Sequence, residues 1–403
     1  MPNRNLKMKG QTMSIEANQM IPRFSTVPAY HSSLTRQKLD LACNTMEPVD
    51  MAISCYENEI PDFVESELER IYGNFYSSLV HLKVDGKLHE ASTYIERIEN
   101  SIVSLILFRR EKNVVIVLNE VIAFSDQAIE RFSQYIFHRF KDATVIQFRA
   151  IQTALKRFSY KFQRLNYLED IVIDLPDSTE NYLASLGKNL RRNLRRCQKK
   201  IERDFPSFSY AMSATDAIND QDIRDIVALN QARMLGKNKI SAIDDDETAR
   251  LIEGTKERGL VCAVTIDGQI SAGAICFRTG DNYFLTVIAH DPKFDPYSLG
   301  MLCCALIICE CIEQGGKEFH FLWGRYDYKY ALTGVQRDLY LVAIYRSIPH
   351  FFANSRMAVR IWKNEKLRQL TLGLQRMKKQ DDALSRFSVG LFEKIRRMKN
   401  KAA

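Results

Sequence analysis

No stretch of this 403-residue chain approaches the roughly 20 consecutive apolar residues needed to cross a bilayer. Its longest apolar run, Leu299 to Cys309, is about half that length and reads as a buried helix. The first 30 residues contain Arg4, Lys7, Lys9 and Arg23 but no apolar segment or small-residue cleavage site, so a secretory signal is not expected. The chain also lacks any C-x-x-C pair. Its nine cysteines (Cys43, Cys55, Cys197, Cys262, Cys276, Cys303, Cys304, Cys309 and Cys311) are odd in number and scattered, and four sit in one apolar helix. That usage fits reduced, packed thiols in a cytoplasmic protein and excludes a disulfide framework; it also gives no basis for a metal site. Low-complexity stretches are missing, as are RNP-type, KH-type and zinc-finger patterns, so nucleic acid is not an expected partner.

What is present is ordinary globular material. An apolar fraction of 46% with 26% charged residues supplies enough for real cores, and the length allows two or three domains. The net charge of +8 is concentrated rather than spread. Residues Ser355 to Ala403 hold 14 Lys/Arg against 4 Asp/Glu, and Lys188 to Arg203 holds 8 basic residues against one acid. The rest of the chain is net acidic, with 35 Lys/Arg against 44 Asp/Glu.

Periodicity divides the chain into four parts. Residues 1–50 are polar and aperiodic, a weakly ordered lead-in. Residues 51–176 read as a mixed α/β unit. It has a helix around Phe63 to Tyr72, a strand Tyr94 to Ile98 and a hairpin Ser101–Phe108/Val114–Leu118, then a helix Ser125 to Phe140 and a strand Thr144 to Phe148. Residues 177–350 open on a long helix from Asp177 and Ser178, whose positions Leu186, Leu190, Leu194, Cys197 and Ile201 make one apolar stripe. A strand Phe208 to Met212 and one or two helices over Ala214 to Leu235 precede a three-strand meander, Val261–Ile266, Ile270–Phe277 and Tyr283–His290. Its Asp267-Gly268 turn is a strong hairpin signal. A loop with Ser298 and Gly300, the apolar helix, a short strand Phe319–Trp323, a polar turn Gly324–Lys329 and a last strand Leu339–Tyr345 follow. Residues 351–403 read as a basic amphipathic helical tail. Both halves show helix, antiparallel strands, helix and strand in that order.

The run from His290 to Gly334 carries the functional signal. It sets the amides of a helix N-terminus beside titratable groups at the end of the next strand, a geometry suited to a phosphate-bearing cofactor next to reacting groups. The run Leu186-Gly-Lys-Asn-Leu-Arg-Arg-Asn-Leu-Arg-Arg, the Asp-Gly meander, the Ser298-Leu-Gly300 helix start and the Gly324…Tyr328-Lys329 turn occur in this order. Together they resemble the GNAT-fold acetyltransferase domain of the CelD-like, cellulose-biosynthesis type, itself distantly similar to the FemAB aminoacyltransferases. The resemblance spans about residues 177–346, and the preceding unit looks like a degenerate first half of a tandem GNAT protein. It implies an α/β (α+β) fold with a mixed, mostly antiparallel sheet flanked by helices and splayed at its fourth strand, Tyr283 to His290. Acetyl-CoA or another acyl-CoA would enter the splay as co-substrate, its pyrophosphate on the amides of Ser298, Leu299, Gly300 and Met301; no metal is implied. The family loop, [Gln/Arg]-x-x-Gly-x-[Gly/Ala], has Tyr297 and Leu302 at its outer positions here.

Acyl transfer needs a base, an oxyanion stabiliser and a proton for the departing thiolate. His290, ending the splayed strand, is a candidate base, or a strand-end histidine held by a loop carbonyl. Asp327 is the alternative base, or an N-cap of the short helix after it. Tyr328 or Tyr330 could protonate the thiolate, or simply pack on the sheet. Lys329 matches the family's Tyr-Lys pair; with Arg325 it could hold an acidic group, or either could form a structural ion pair. Arg192 and Arg196 share one helix face that could grip phosphate, a nucleotide-sugar or tRNA, or be a solvated face.

The leading expectation is a cytoplasmic CoA-dependent N- or O-acyltransferase. The group it resembles is linked with exopolysaccharide or cell-surface glycan production, so a sugar amine or hydroxyl is the expected acceptor. The alternatives are a FemAB-like transferase using aminoacyl-tRNA and a GNAT-shaped scaffold without catalysis. The tail is a surface for a protein partner or for the inner face of a membrane.

Overall fold

A computed structural model describes residues 51–379 apart from 237–240 and 242. The expected lead-in over 1–50 and the tail beyond residue 379 lie outside the described residues. In chain order, β1 (Met51–Tyr56), α1 (Val64–Tyr72), α2 (Leu79–Val84), β2 (Ser92–Ile98), β3 (Ser101–Glu111) and β4 (Val114–Val117) come first. They are followed by α3 (Asp126–Arg139), β5 (Val145–Ile151) and β6 (Lys161–Asp174). The second half runs α4 (Thr179–Ser185), α5 (Lys188–Asp204), β7 (Ser209–Ala214), α6 (Asp220–Leu235), α7 (Asp245–Arg258), β8 (Gly259–Ile266), β9 (Gln269–Thr279) and β10 (Asn282–His290). It closes with α8 (Leu299–Glu313), β11 (Glu318–His320), α9 (Asp327–Ala331), β12 (Val335–Tyr345), α10 (Ile348–Ala353) and α11 (Ser355–Lys379).

The strands form one 12-stranded sheet in the order β1-β2-β3-β4-β5-β12-β6-β11-β10-β9-β8-β7. Read from either end, the pattern is the same. Three antiparallel pairings lead to a parallel pair, β4 with β5 and β10 with β11, and the helix joining each parallel pair is α3 or α8. The last strand of each half is exchanged: β6 pairs antiparallel with β11, β12 with β5, and the two with each other from Val335↔Val172 to Tyr345↔Lys161. The halves therefore share one ladder and neither closes its own sheet.

The hairpin signals carry through. Asp267 and Gly268 both have positive φ (52° and 75°), the type I′ combination whose twist matches that of flanking strands. The leucine stripe faces the core as spaced, with Leu186, Leu194, Cys197 and Ile201 buried. The helix expected from Asp177 is two. Ser178 caps α4 by accepting from the Asn181 amide (3.2 Å), then extended Leu186 and Gly187 separate it from α5. The strand expected over Phe319–Trp323 is Glu318–His320, because the following residues part from β10 while Phe321 and Leu322 still bond to Ile171 of β6 (2.8 and 3.3 Å).

The 14-residue strand β6 carries no simple alternation, since Glu169 and Asp170 lie in it and are both buried. A buried carboxylate is tolerated only when paired and hydrogen-bonded, and the second half supplies the partners. His320 Nδ1 lies 2.7 Å from Asp170 Oδ2, and the Leu322 amide donates to Asp170 Oδ1 (3.1 Å). The Gly324 amide donates to Glu169 (3.3 Å), which also pairs with Arg325 and with Arg368 of α11. On the next strand Arg337 donates to both Glu318 oxygens (3.0 and 2.7 Å), and His320 Nε2 is 3.1 Å from Glu318.

For Glu318, burial opposes ionisation, but the hydrogen bonds from His320 and Arg337 hold its pKa down to about 2, against an ordinary 4.5. A depressed carboxylate pKa gives stability that is present above about pH 4.5 and lost as pH falls toward 2. Glu318→Gln is expected to cost about 2 kcal/mol at neutral pH and clearly less at about pH 3.5. Urea midpoints at both pH values check this; an equal cost at each contradicts it.

Candidate active site at the sheet splay

Strands β10 and β11 pair only over Asn282–Phe284 and Glu318–His320. Beyond that point β10 continues to His290 while Phe321–Trp323 turn away, so the sheet opens. A bulge between Leu285 and Val287 sits at the opening. A cavity of about 790 Å³ occupies the gap. Leu285 and Phe321 of its wall belong to the core under α5 and α8, whereas Val287 and Leu322 belong to the core under α6 and α7. The cavity wall thus takes residues from the cores on both faces of the sheet, although none from α5 or α8 themselves.

The polar turn forms one side. Lys329 on α9 is buried, and its ammonium donates to the carbonyls of Phe321 (2.8 Å), Leu322 (3.1 Å) and Trp323 (2.6 Å). The Leu322 carbonyl also accepts from the Ile171 amide of β6 (3.3 Å), while those of Phe321 and Trp323 are held by the lysine, which fastens the segment in its splayed path. Burial lowers its pKa to about 8 against the pull of Asp170 and Glu169. Tyr328 lines the cavity and packs edge-on to Phe321, and burial pushes its phenol well above 10, so it stays protonated. Arg325 lies 3.4 Å from Glu169 and 3.9 Å from Asp338. Asp327 is exposed at the first position of α9, whose N-cap is Tyr326, and it is not part of the cavity wall. Tyr330 is exposed, its hydroxyl donating to Gln336 (3.1 Å).

His290 stands at the far end of β10, outside the cavity wall, with Nε2 2.7 Å from Asp295. A Cβ on Gly300 would meet its Nδ1 at 2.5 Å, so the glycine is needed to let the imidazole lie on the first turn of α8. Ser298 adopts the left-handed conformation (φ 49°) just before that turn, and its side chain makes no cap. Its amide donates to Asp295, and the Met301 and Leu302 amides return to the Ser298 carbonyl. Among the described residues, the Leu299 and Gly300 amides bond to no backbone carbonyl, as the first amides of a helix do. Beside this turn, the Tyr297 hydroxyl donates to Asp204 (3.1 Å) and its ring lies 4.4 Å from Lys200, which ties the loop to the end of α5. Arg192 and Arg196, further up α5, are exposed and away from the cavity wall.

The first half contributes residues that sequence reasoning did not single out. Phe75, Tyr76 and His81 line the cavity, with the Tyr76 ring edge-on to Trp323 at 5.2 Å. Burial lowers the His81 pKa to about 4 even with Asp85 3.5 Å away, so its imidazole is neutral near pH 7. Arg233 of α6 also faces in, its Nε buried without a hydrogen-bond partner among the described residues. No local pattern marks these positions, which meet the turn only through the fold. Among the described residues no group of three or more His, Cys, Asp or Glu is arranged to hold a metal.

Lys329→Met should leave the Phe321 and Trp323 carbonyls without a donor among the described residues, while Leu322 keeps the Ile171 amide, and cost roughly 3 kcal/mol, read from urea denaturation. A loss under about 1 kcal/mol would show that the lysine does not hold the splay.

Comparison with known proteins bears on the fold. A protein-family profile described as "Acetyltransferase (GNAT) domain" matches residues 188–330. No curated protein sequence matches. Among solved structures, FemX superposes with a TM-score of 0.53 at 9% identity, over 73% of this chain and 98% of FemX. L-PGS from Bacillus licheniformis reaches 0.44 at 18% identity, over 73% of this chain and 95% of its own. The chain has an α/β GNAT fold, and its residues 188–330 match the GNAT acetyltransferase domain profile.

Proposed function

We propose that the protein is a CoA-dependent acyltransferase whose thioester lies in the splay between β10 and β11. The observation that carries this reading is the cavity at the parting of β10 and β11, whose wall takes residues from the cores on both faces of the sheet. On the α8 side, the Leu299 and Gly300 amides and the positive end of the helix suit a diphosphate, with Lys200 close by. From Leu285 onward the edge of β10 has no strand beside it, so its main-chain amides are placed to take the charge that builds on the thioester oxygen.

The acceptor enters from the α2, α6 and α7 side. Its amine or hydroxyl attacks the thioester carbon and forms the new C–N or C–O bond as the C–S bond breaks. His81 accepts the acceptor's proton and the Tyr328 phenol gives one to the leaving thiolate. The aromatic faces of Tyr76, Trp323 and Tyr326, with Arg233, Asn230 and Glu247 among them, suit a polar, hydroxylated acceptor such as a sugar amine or hydroxyl.

Titration calorimetry with acetyl-CoA should give one site per chain at micromolar to millimolar affinity. Thr286→Trp, which fills the splay, should weaken binding at least tenfold without unfolding the protein. Absence of heat at millimolar acetyl-CoA would overturn the proposal, as would undiminished binding to the filled variant.

A further inference from the structure

α11 packs one face on the sheet and leaves a distinctive face outward. Ala358 and Ile361 are buried against Leu165, Leu341 and Tyr345, and Arg368 reaches Asn166 and Glu169 of β6. The outward face combines Val359, Trp362 and Leu370, exposed at 48%, 53% and 58%, with Arg356, Arg360, Lys363 and Lys366. Of the charged residues between Ser355 and Leu370, the exposed ones are all basic, and none makes an ion pair among the described residues. The single acid in that interval, Glu365, is half-buried and accepts from Gln369. α10, directly before it, adds Ile348 and Phe352, exposed at 64% and 66%.

A solvated helix face has no use for a tryptophan and two aliphatic side chains alternating with cations. Nor would a face built for nucleic acid expose valine and leucine between its lysines. Apolar side chains flanked by unpaired cations suit a surface that is apolar within and anionic at its boundary. We infer that α10 and α11 dock the protein on an anionic phospholipid bilayer, with Trp362, Val359, Leu370, Ile348 and Phe352 entering the acyl boundary and the four cations meeting lipid phosphates. Tyr167 packs against both the cluster under α11 and the cluster beside the splay cavity, so the docking helices lie on the same side of the sheet as α6 and α7. The inference does not rest on the chemistry proposed above, and it survives if no acyl-CoA binds.

The test uses the full chain with vesicles of phosphatidylcholine alone or with phosphatidylglycerol at about one third. The chain contains two tryptophans, so a Trp323→Phe background leaves Trp362 as the reporter. Co-sedimentation with the anionic vesicles and a blue shift of Trp362 emission are expected, with little of either on neutral vesicles. Lys363→Glu/Lys366→Glu should weaken vesicle binding about 30-fold or more, and Trp362→Ser should weaken it severalfold, while thermal unfolding of both variants stays near that of the parent. Equal binding to neutral vesicles, an unshifted Trp362 or unimpaired binding by the charge-reversed variant would each overturn the inference. So would a dimer in solution that Trp362→Ser separates, because a second copy would then cover this face.

Discussion

Two adjacent carboxylates on an exchanged strand hold the centre of this structure together. Glu169 and Asp170 belong by sequence to the first half but lie beside β11 and β12 of the second, where burial obliges them to find partners. They find His320, the Leu322 and Gly324 amides, Arg325 and Arg368. All but the Arg368 pair lie on β11 or on the segment between β11 and α9, the segment that turns away and opens the sheet. The splay therefore depends on a contribution from the other half of the molecule. The first half, which lacks the matched domain profile, is a structural requirement for the second. Removing one carboxylate would strand a buried charge on its partners, the costly way to break such a network.

The same exchange explains how the cavity is assembled. With β6 and β12 crossing, the segment carrying Phe75, Tyr76 and His81 comes to lie over the end of β11, where it meets Trp323 and the helices α6 and α7. Aromatic surface is supplied by both halves, Phe75 and Tyr76 by the first and Trp323, Tyr326 and Tyr328 by the second. Lys329 holds the remaining side by gathering three main-chain carbonyls, of which only that of Leu322 has another donor among the described residues, the Ile171 amide. A lysine committed in this way acts by positioning the turn, while Tyr328 beside it, kept protonated by burial, is the group turned toward the cavity.

Features set by short-range geometry were legible in the sequence. The Asp267-Gly268 turn fixed the meander, the spacing of Leu186 to Ile201 fixed the buried face of α5, and the Ser298–Gly300 helix start was recognisable. Features that depend on partners far along the chain were not. β6 reads as too charged for a central strand because its carboxylates are neutralised from the other half. Gly300 is readable as a close-approach glycine, but only the fold shows that the approaching group is the His290 ring. Tyr76, His81 and Arg233 have no local signature, since their role comes from the strand exchange. Asp327 drew attention as the carboxylate of the polar turn, yet lies exposed and off the cavity wall.

The most direct test of the account is a crystal structure of the full chain with a non-hydrolysable acetyl-CoA analogue. The account predicts the acyl carbonyl in the gap between Thr286 and the Leu322–Trp323 segment, with the diphosphate on the Leu299 and Gly300 amides. An analogue bound elsewhere, with β10 and β11 unoccupied at their parting, would contradict it.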